Sequence, residues 1–137
     1  MRTNTLDLDQ CLEPASKCEI VDNNNCVQIV RVESRRGKKT GVIHLKASPT
    51  YGDVNIKNGP WQTNIPIAKG QEAIRGYRVE PDYNGSSSKE TLQIDIWYSN
   101  KRINTSDPET DVPADSSTNS LGTLVAEVTL RKSPKVP

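Results

Sequence analysis

Apolar and polar residues alternate with a period of two along most of this chain, and that alternation predicts strands rather than helices. The cleanest run is "TLQIDIWY", residues 91–98, which sends Leu92, Ile94, Ile96 and Tyr98 one way and Thr91, Gln93, Asp95 and Trp97 the other. In "GTLVAEVTLRK", 122–132, Leu124, Ala126, Val128 and Leu130 are expected inward, with Thr123, Glu127 and Thr129 outward. "TGVIHLKA" places Ile43, Leu45 and Ala47 inside and His44 and Lys46 outside. Shorter pieces add Val54, Ile56, Ile65, Ile67, Ala73, Tyr77 and Val79 to the expected core. One segment breaks the rule. In "CVQIVRVE", 26–33, Val27 and Ile29 share one face while Val30 and Val32 share the other, which implies either a bulge or a strand covered on both sides.

Between these runs lie clusters of turn formers: "DNNN", "SPTYGD", "KNGP", "PDYNGSSSKE" and "NTSDPETDVPADSSTNS". About seven or eight short strands at this spacing predict an all-β fold: an antiparallel β-sandwich, jelly-roll-like or immunoglobulin-like. The expected organisation is an extended N-terminal arm over 1–17, a single sandwich domain over 18–132 and a C-terminal tail over 133–137. The longest connection, 104–120, carries Pro108 and Pro113, which cannot donate to a ladder.

Composition narrows this picture. Of 137 residues only 33% are hydrophobic, and phenylalanine is absent, so the core must be aliphatic. The net charge is only +1, but it is unevenly spread: residues 31–46 hold six Lys/Arg against one Glu, and acids gather near the N-terminus and in 106–115. Opposite patches of this kind attract within about a Debye length, ~8 Å, and suit association between copies. No apolar run approaches the ~20 residues of a helical membrane span. The N-terminus lacks the apolar stretch of a signal peptide, so the compartment stays open between virion, extracellular and intracellular settings. Two N-x-S sequons, at Asn84 and Asn104, matter only in a secreted chain.

The chemistry-bearing residues are few. Cys11, Cys18 and Cys26 match no zinc or redox spacing. They are expected to be reduced thiols with Cys26 packed in a strand, the alternative being one local disulfide. His44 is the only histidine and is expected on the outer face of its strand as ordinary surface. No G-x-S-x-G or P-loop accompanies it, so no catalytic residue, metal or cofactor is expected. Asp107, Glu109 and Asp111 alternate as calcium ligands can, with Asp115 beyond, but Val112 and Thr118 stand where an EF-hand needs glycine and glutamate. A solvated acidic loop is the simpler expectation.

Two features point to partners. Arg35, Arg36, Lys38 and Lys39 surround Gly37 between two strand-like runs, which predicts a hairpin tip with four cations in solvent. Such a tip can make a weak, non-specific polyanion contact through phosphates, without base stacking because no aromatic interleaves it. Trp97, expected outward, and Trp61, expected in a loop, are the candidate interface residues. The expected function is a non-enzymatic structural or assembly subunit that self-associates into an oligomer or binds a scaffold, as a virion coat or decoration protein does. The alternative is an extracellular adhesin-like or carbohydrate-binding module, which the loop aromatics Trp61, Tyr51 and Tyr83 would suit.

Overall fold

The computed structural model describes residues 12–13, 18–21, 25–34, 40–82 and 88–131. Along the chain run β1 (Leu12–Glu13), β2 (Cys18–Val21), β3 (Cys26–Glu33), β4 (Gly41–Pro49), β5 (Val54–Ile56), β6 (Trp61–Ile67), β7 (Glu72–Pro81), β8 (Ser88–Ser99), helix α1 (Pro108–Ala114) and β9 (Thr118–Arg131). They form two sheets, ordered β1-β3-β7-β5 and β2-β9-β8-β4-β6. All pairings are antiparallel except β2 with β9. The antiparallel β-sandwich expected from the alternation is therefore the fold.

The core lies between the sheets and has the aliphatic character that the composition requires. Leu92, Ile94, Ile96 and Tyr98 of β8 are buried, as are Ile43, Leu45 and Ala47 of β4 and Ala126, Val128 and Leu130 of β9. Val30, Val32, Ala73, Tyr77 and Val79 meet them from the other sheet. Removing apolar area at the rate of ~25 cal/mol per Å² is what holds the layers together.

Several expectations change. β3 pairs with β7 without interruption from Cys26–Val79 to Glu33–Glu72, so it has no bulge. Its inward residues are Gln28, Val30 and Val32, and its outer face carries Val27 and Ile29 in the open rather than under cover. The "SRRGKKTG" hairpin is also corrected: β3 and β4 belong to different sheets, so the segment joins two layers rather than two paired strands. Arg35, Arg36, Lys38 and Lys39 lie outside the described residues. Cys26 is disulfide-bonded, which replaces the expectation of three reduced thiols. Of the expected arm, Leu12–Glu13 pairs with β3, and the rest of 1–17 and the 133–137 tail lie outside the described residues.

The 104–120 connection contains a helix that its polar composition concealed. Asp107 caps it by accepting from the Glu109 N–H at 3.1 Å, with Pro108 in the first turn where its missing donor costs nothing. Asp111 Oδ2 accepts from the N–H groups of Ser106 and Asp107, both at 2.9 Å. These hydrogen bonds hold the Asp111 carboxyl below the usual range. Two acids of the supposed solvated loop thus build its fold.

Candidate functional site

Segment 100–117 lies over the outer face of the five-stranded sheet, and two β-bulges prepare that face. One bulge in β6 sets Thr63 and Asn64 opposite His44, with Asn64 at φ 55°. The other, in β9 beside Gly122 at φ 119°, adds Leu121 opposite the Ile96–Trp97 step. Asn64 brackets Ile103 of the covering segment, donating to its carbonyl and accepting its N–H, each at 2.8 Å. Ile103 and Val112 are buried in consequence.

His44 lies beneath this cover, fully buried, so its assignment to ordinary surface is corrected. The direction of its side chain was legible, but the cover over it was not. Its Nδ1 accepts the Asn64 N–H at 3.1 Å, so the ring proton sits on Nε2 and is given to Ser99 Oγ at 3.0 Å. Ser99 in turn meets Thr118 Oγ1 at 3.2 Å. A catalytic triad needs the reverse tautomer, with Nδ1–H donated to a carboxylate and Nε2 free to take the serine proton. Here His44 cannot act as a base toward Ser99. Burial lowers its pKa from 6.5 to about 4, against a smaller upward pull from Asp115. The cluster is a structural polar network fixing the cover to the sheet.

Trp61 and Trp97 are brought together. Their rings stack at 5.2 Å between centroids and 28° between planes, and Lys46 Nζ stands 5.6 Å from the Trp61 centroid. Lys46 also faces Glu109 of α1 at 3.8 Å. The outward direction of Trp97 therefore has an explanation within the chain. Two rings stacked on each other also leave less free face for a sugar than isolated loop aromatics would.

The β6 edge and the edge beyond β5 are closed by side chains and irregular backbone. β6 carries Pro66 and its bulge. Beyond the short β5, Asn58 stands in for a strand along β7: Nδ2 donates to Gly76 O at 2.6 Å, and Oδ1 accepts the Arg78 N–H at 2.7 Å. Gln62 Nε2 and Arg75 Nη1 satisfy Gly76 O and Ile74 O at 3.2 and 2.8 Å. An added strand would have to displace these groups.

The outer face of the four-stranded sheet is different. Val27, Ile29 and Ile74 are 49, 42 and 47% exposed. Ile29 stands opposite Gly76, and Ile74 is its diagonal neighbour two residues along β7. Gly76 has no side chain to separate them: a Cβ there would come within 2.8 Å of Val27 Cγ1 and 3.6 Å of Ile29 Cδ1. The three aliphatic groups form one patch across β3 and β7. At one end stand Arg78, Lys57 and Glu80, with Lys57–Glu80 at 3.6 Å and Arg78–Glu80 at 3.5 Å. At the other, Arg31 reaches Glu33 at 3.2 Å and Glu72 at 3.3 Å. Sequence reasoning saw the apolar excess of "CVQIVRVE" but not that one of its faces stays open.

No family model matches the chain, and no curated protein matches it. Solved structures do resemble it. WR4, an MSP family member of Caenorhabditis elegans, aligns at TM-score 0.52 and 12% identity over 84% of this chain and 91% of its own. SSP-19, an MSP-domain protein like family member from the same organism, aligns at TM-score 0.55 and 9% identity, over 87 and 99%. The fold is thus an antiparallel β-sandwich similar to the immunoglobulin-like β-sandwiches of these MSP-domain structures.

Proposed function

We propose that the chain is a non-enzymatic assembly subunit that binds copies of itself or a scaffold through the outer face of the four-stranded sheet. The observation that carries this reading is the patch of Val27, Ile29 and Ile74, nearly half exposed in each case. Fully burying such a side chain returns about 1.5–3 kcal/mol, so covering the remaining half of three returns roughly 3 kcal/mol. That is about two decades in a dissociation constant. The capped β6 edge and the capped edge beyond β5 favour docking on the face over strand addition there. The tautomer and burial of His44 support a role without catalysis.

Sedimentation velocity on the parent chain, Ile29→Lys and Trp97→Ser tests this. The parent is expected to associate with rising concentration, Ile29→Lys to remain monomeric, and Trp97→Ser to behave as the parent or lose stability. A parent that stays monomeric at high micromolar concentration and is retained by no scaffold overturns the reading. If it also binds a glycan array through Tyr51, the carbohydrate-binding alternative takes its place.

A further inference from the structure

We infer that Asn58 is a site of spontaneous deamidation, a conversion of its amide to an acid by water that uncaps the edge of β7. Asn58 is exposed and precedes Gly59 in the turn between β5 and β6. Each residue is dictated by what it touches. Asn58 Nδ2 donates to Gly76 O at 2.6 Å while Oδ1 accepts the Arg78 N–H at 2.7 Å, so the amide serves an acceptor and a donor at once. Gly59 is fixed by packing: a Cβ there would come within 2.7 Å of Ile56 Cγ2 and 3.0 Å of Tyr77 Cε1, and Tyr77 is fully buried. Edge cap and core packing together require an Asn-Gly step. In such a step no side chain shields the asparagine from the next backbone nitrogen.

In the reaction Gly59 N bonds to Asn58 Cγ and gives up its proton, and Nδ2 leaves with that proton as ammonia, closing a succinimide ring. Water then opens the ring, at Cγ to give aspartate or at the main-chain carbonyl carbon to give isoaspartate. Two features of the site serve this step. The Gly59 N–H makes no hydrogen bond among the described residues, so the attacking nitrogen has no partner to give up. The Arg78 N–H already stands at the oxygen on which negative charge gathers as Cγ becomes tetrahedral. Neither product keeps the cap. In aspartate the second carboxylate oxygen replaces Nδ2, and two acceptors then confront each other across the 2.6 Å to Gly76 O. Isoaspartate adds a carbon to the main chain and displaces the turn. Turning the carboxylate away leaves Gly76 O to Gln62 Nε2 alone, at 3.2 Å, and frees the Arg78 N–H for the ladder of an added strand. Deamidation thus adds a mode of association at the edge to the docking face proposed above, and does not depend on that face.

The test ages the full chain in mildly alkaline buffer beside a urea-unfolded sample and maps both by peptide mass spectrometry. The folded chain should gain the mass of an amide-to-acid exchange at Asn58, with isoaspartate among the products. Asn84-Gly85, the other Asn-Gly step, lies outside the described residues and is read on a separate peptide. An Asn58 that keeps its amide in the folded chain while the unfolded sample converts overturns the site. Asn58→Asp carries the product directly, and the aged parent, separated by its added negative charge, gives the same readouts without a substitution. In both, hydrogen exchange at the Arg78 amide should be roughly tenfold faster than in the fresh parent. Sedimentation of Asn58→Asp should show association that persists when Ile29→Lys is added. Exchange equal to the parent's, or a double variant as monomeric as Ile29→Lys alone, overturns the uncapping. A monomeric fresh parent overturns the docking face and leaves the deamidation standing.

Discussion

Protonating His44 should loosen the cover formed by segment 100–117, and the size of the effect can be worked from its surroundings. In the fold the imidazole is fully buried, with Nδ1 facing an N–H donor, so a second ring proton would have no acceptor. Its pKa falls from 6.5 to about 4, whereas in the unfolded chain it stays near 6.5. Because the folded value is the depressed one, the full contribution is present above pH 6.5. It is lost as pH falls, since the unfolded chain takes up a proton that the fold refuses. A gap of about 2.5 units corresponds to roughly 3 kcal/mol, lost between pH 6.5 and 4 and level below. Urea unfolding across that interval should show the loss in the parent and a flatter profile in His44→Gln. The chain has one histidine, so its NMR signal is unambiguous. A folded-state imidazole titrating near 6.5, or equal slopes for parent and variant, would refute the reasoning.

Other consequences are local. The buried Glu90 carboxylate accepts the N–H groups of Tyr51, Gly52 and Asp53 at 2.7, 2.7 and 3.0 Å, clamping the turn that presents Tyr51. Glu90→Gln turns a donor toward those donors and should cost about 1–3 kcal/mol by thermal or urea melts; an unchanged melt would mean the clamp is idle. Ile94→Ala removes a fully buried side chain and should cost roughly 2–5 kcal/mol, with a loss below 1 kcal/mol arguing against its place in the core. If Arg35, Arg36, Lys38 and Lys39 bind polyanions, changing all four to Ser should abolish heparin retention at low salt without moving the melting temperature. Unchanged retention would dismiss the basic segment as a binding element.

Strand identity was legible because alternation reports which side of a sheet faces the core, and β8, β4 and β9 each have one apolar and one polar side. What alternation cannot report is which outer face is later covered. His44 and Trp97 point outward as read, but the Asn64–Ile103 hydrogen bonds that seat the cover join residues 39 positions apart in sequence. The helix was signalled by Asp107-Pro108-Glu109, a cap and first turn hidden within a polar run. The basic segment was misread for a related reason: a glycine among cations predicts a tight turn, but whether its flanking strands pair depends on the layer each joins. For Val27 and Ile29 the sequence offered only the anomaly, an apolar residue at every position but two from Val27 to Val32. Open exposure was the one outcome that pattern rules did not favour.

The most direct test of the docking face is methyl NMR of the parent chain followed on dilution from high to low micromolar concentration. The account predicts that Val27, Ile29 and Ile74 methyl signals shift together, while Val125, 60% exposed on the other sheet, stays fixed. Signals of the three residues that do not move with concentration, or movement at Val125 alone, would contradict it.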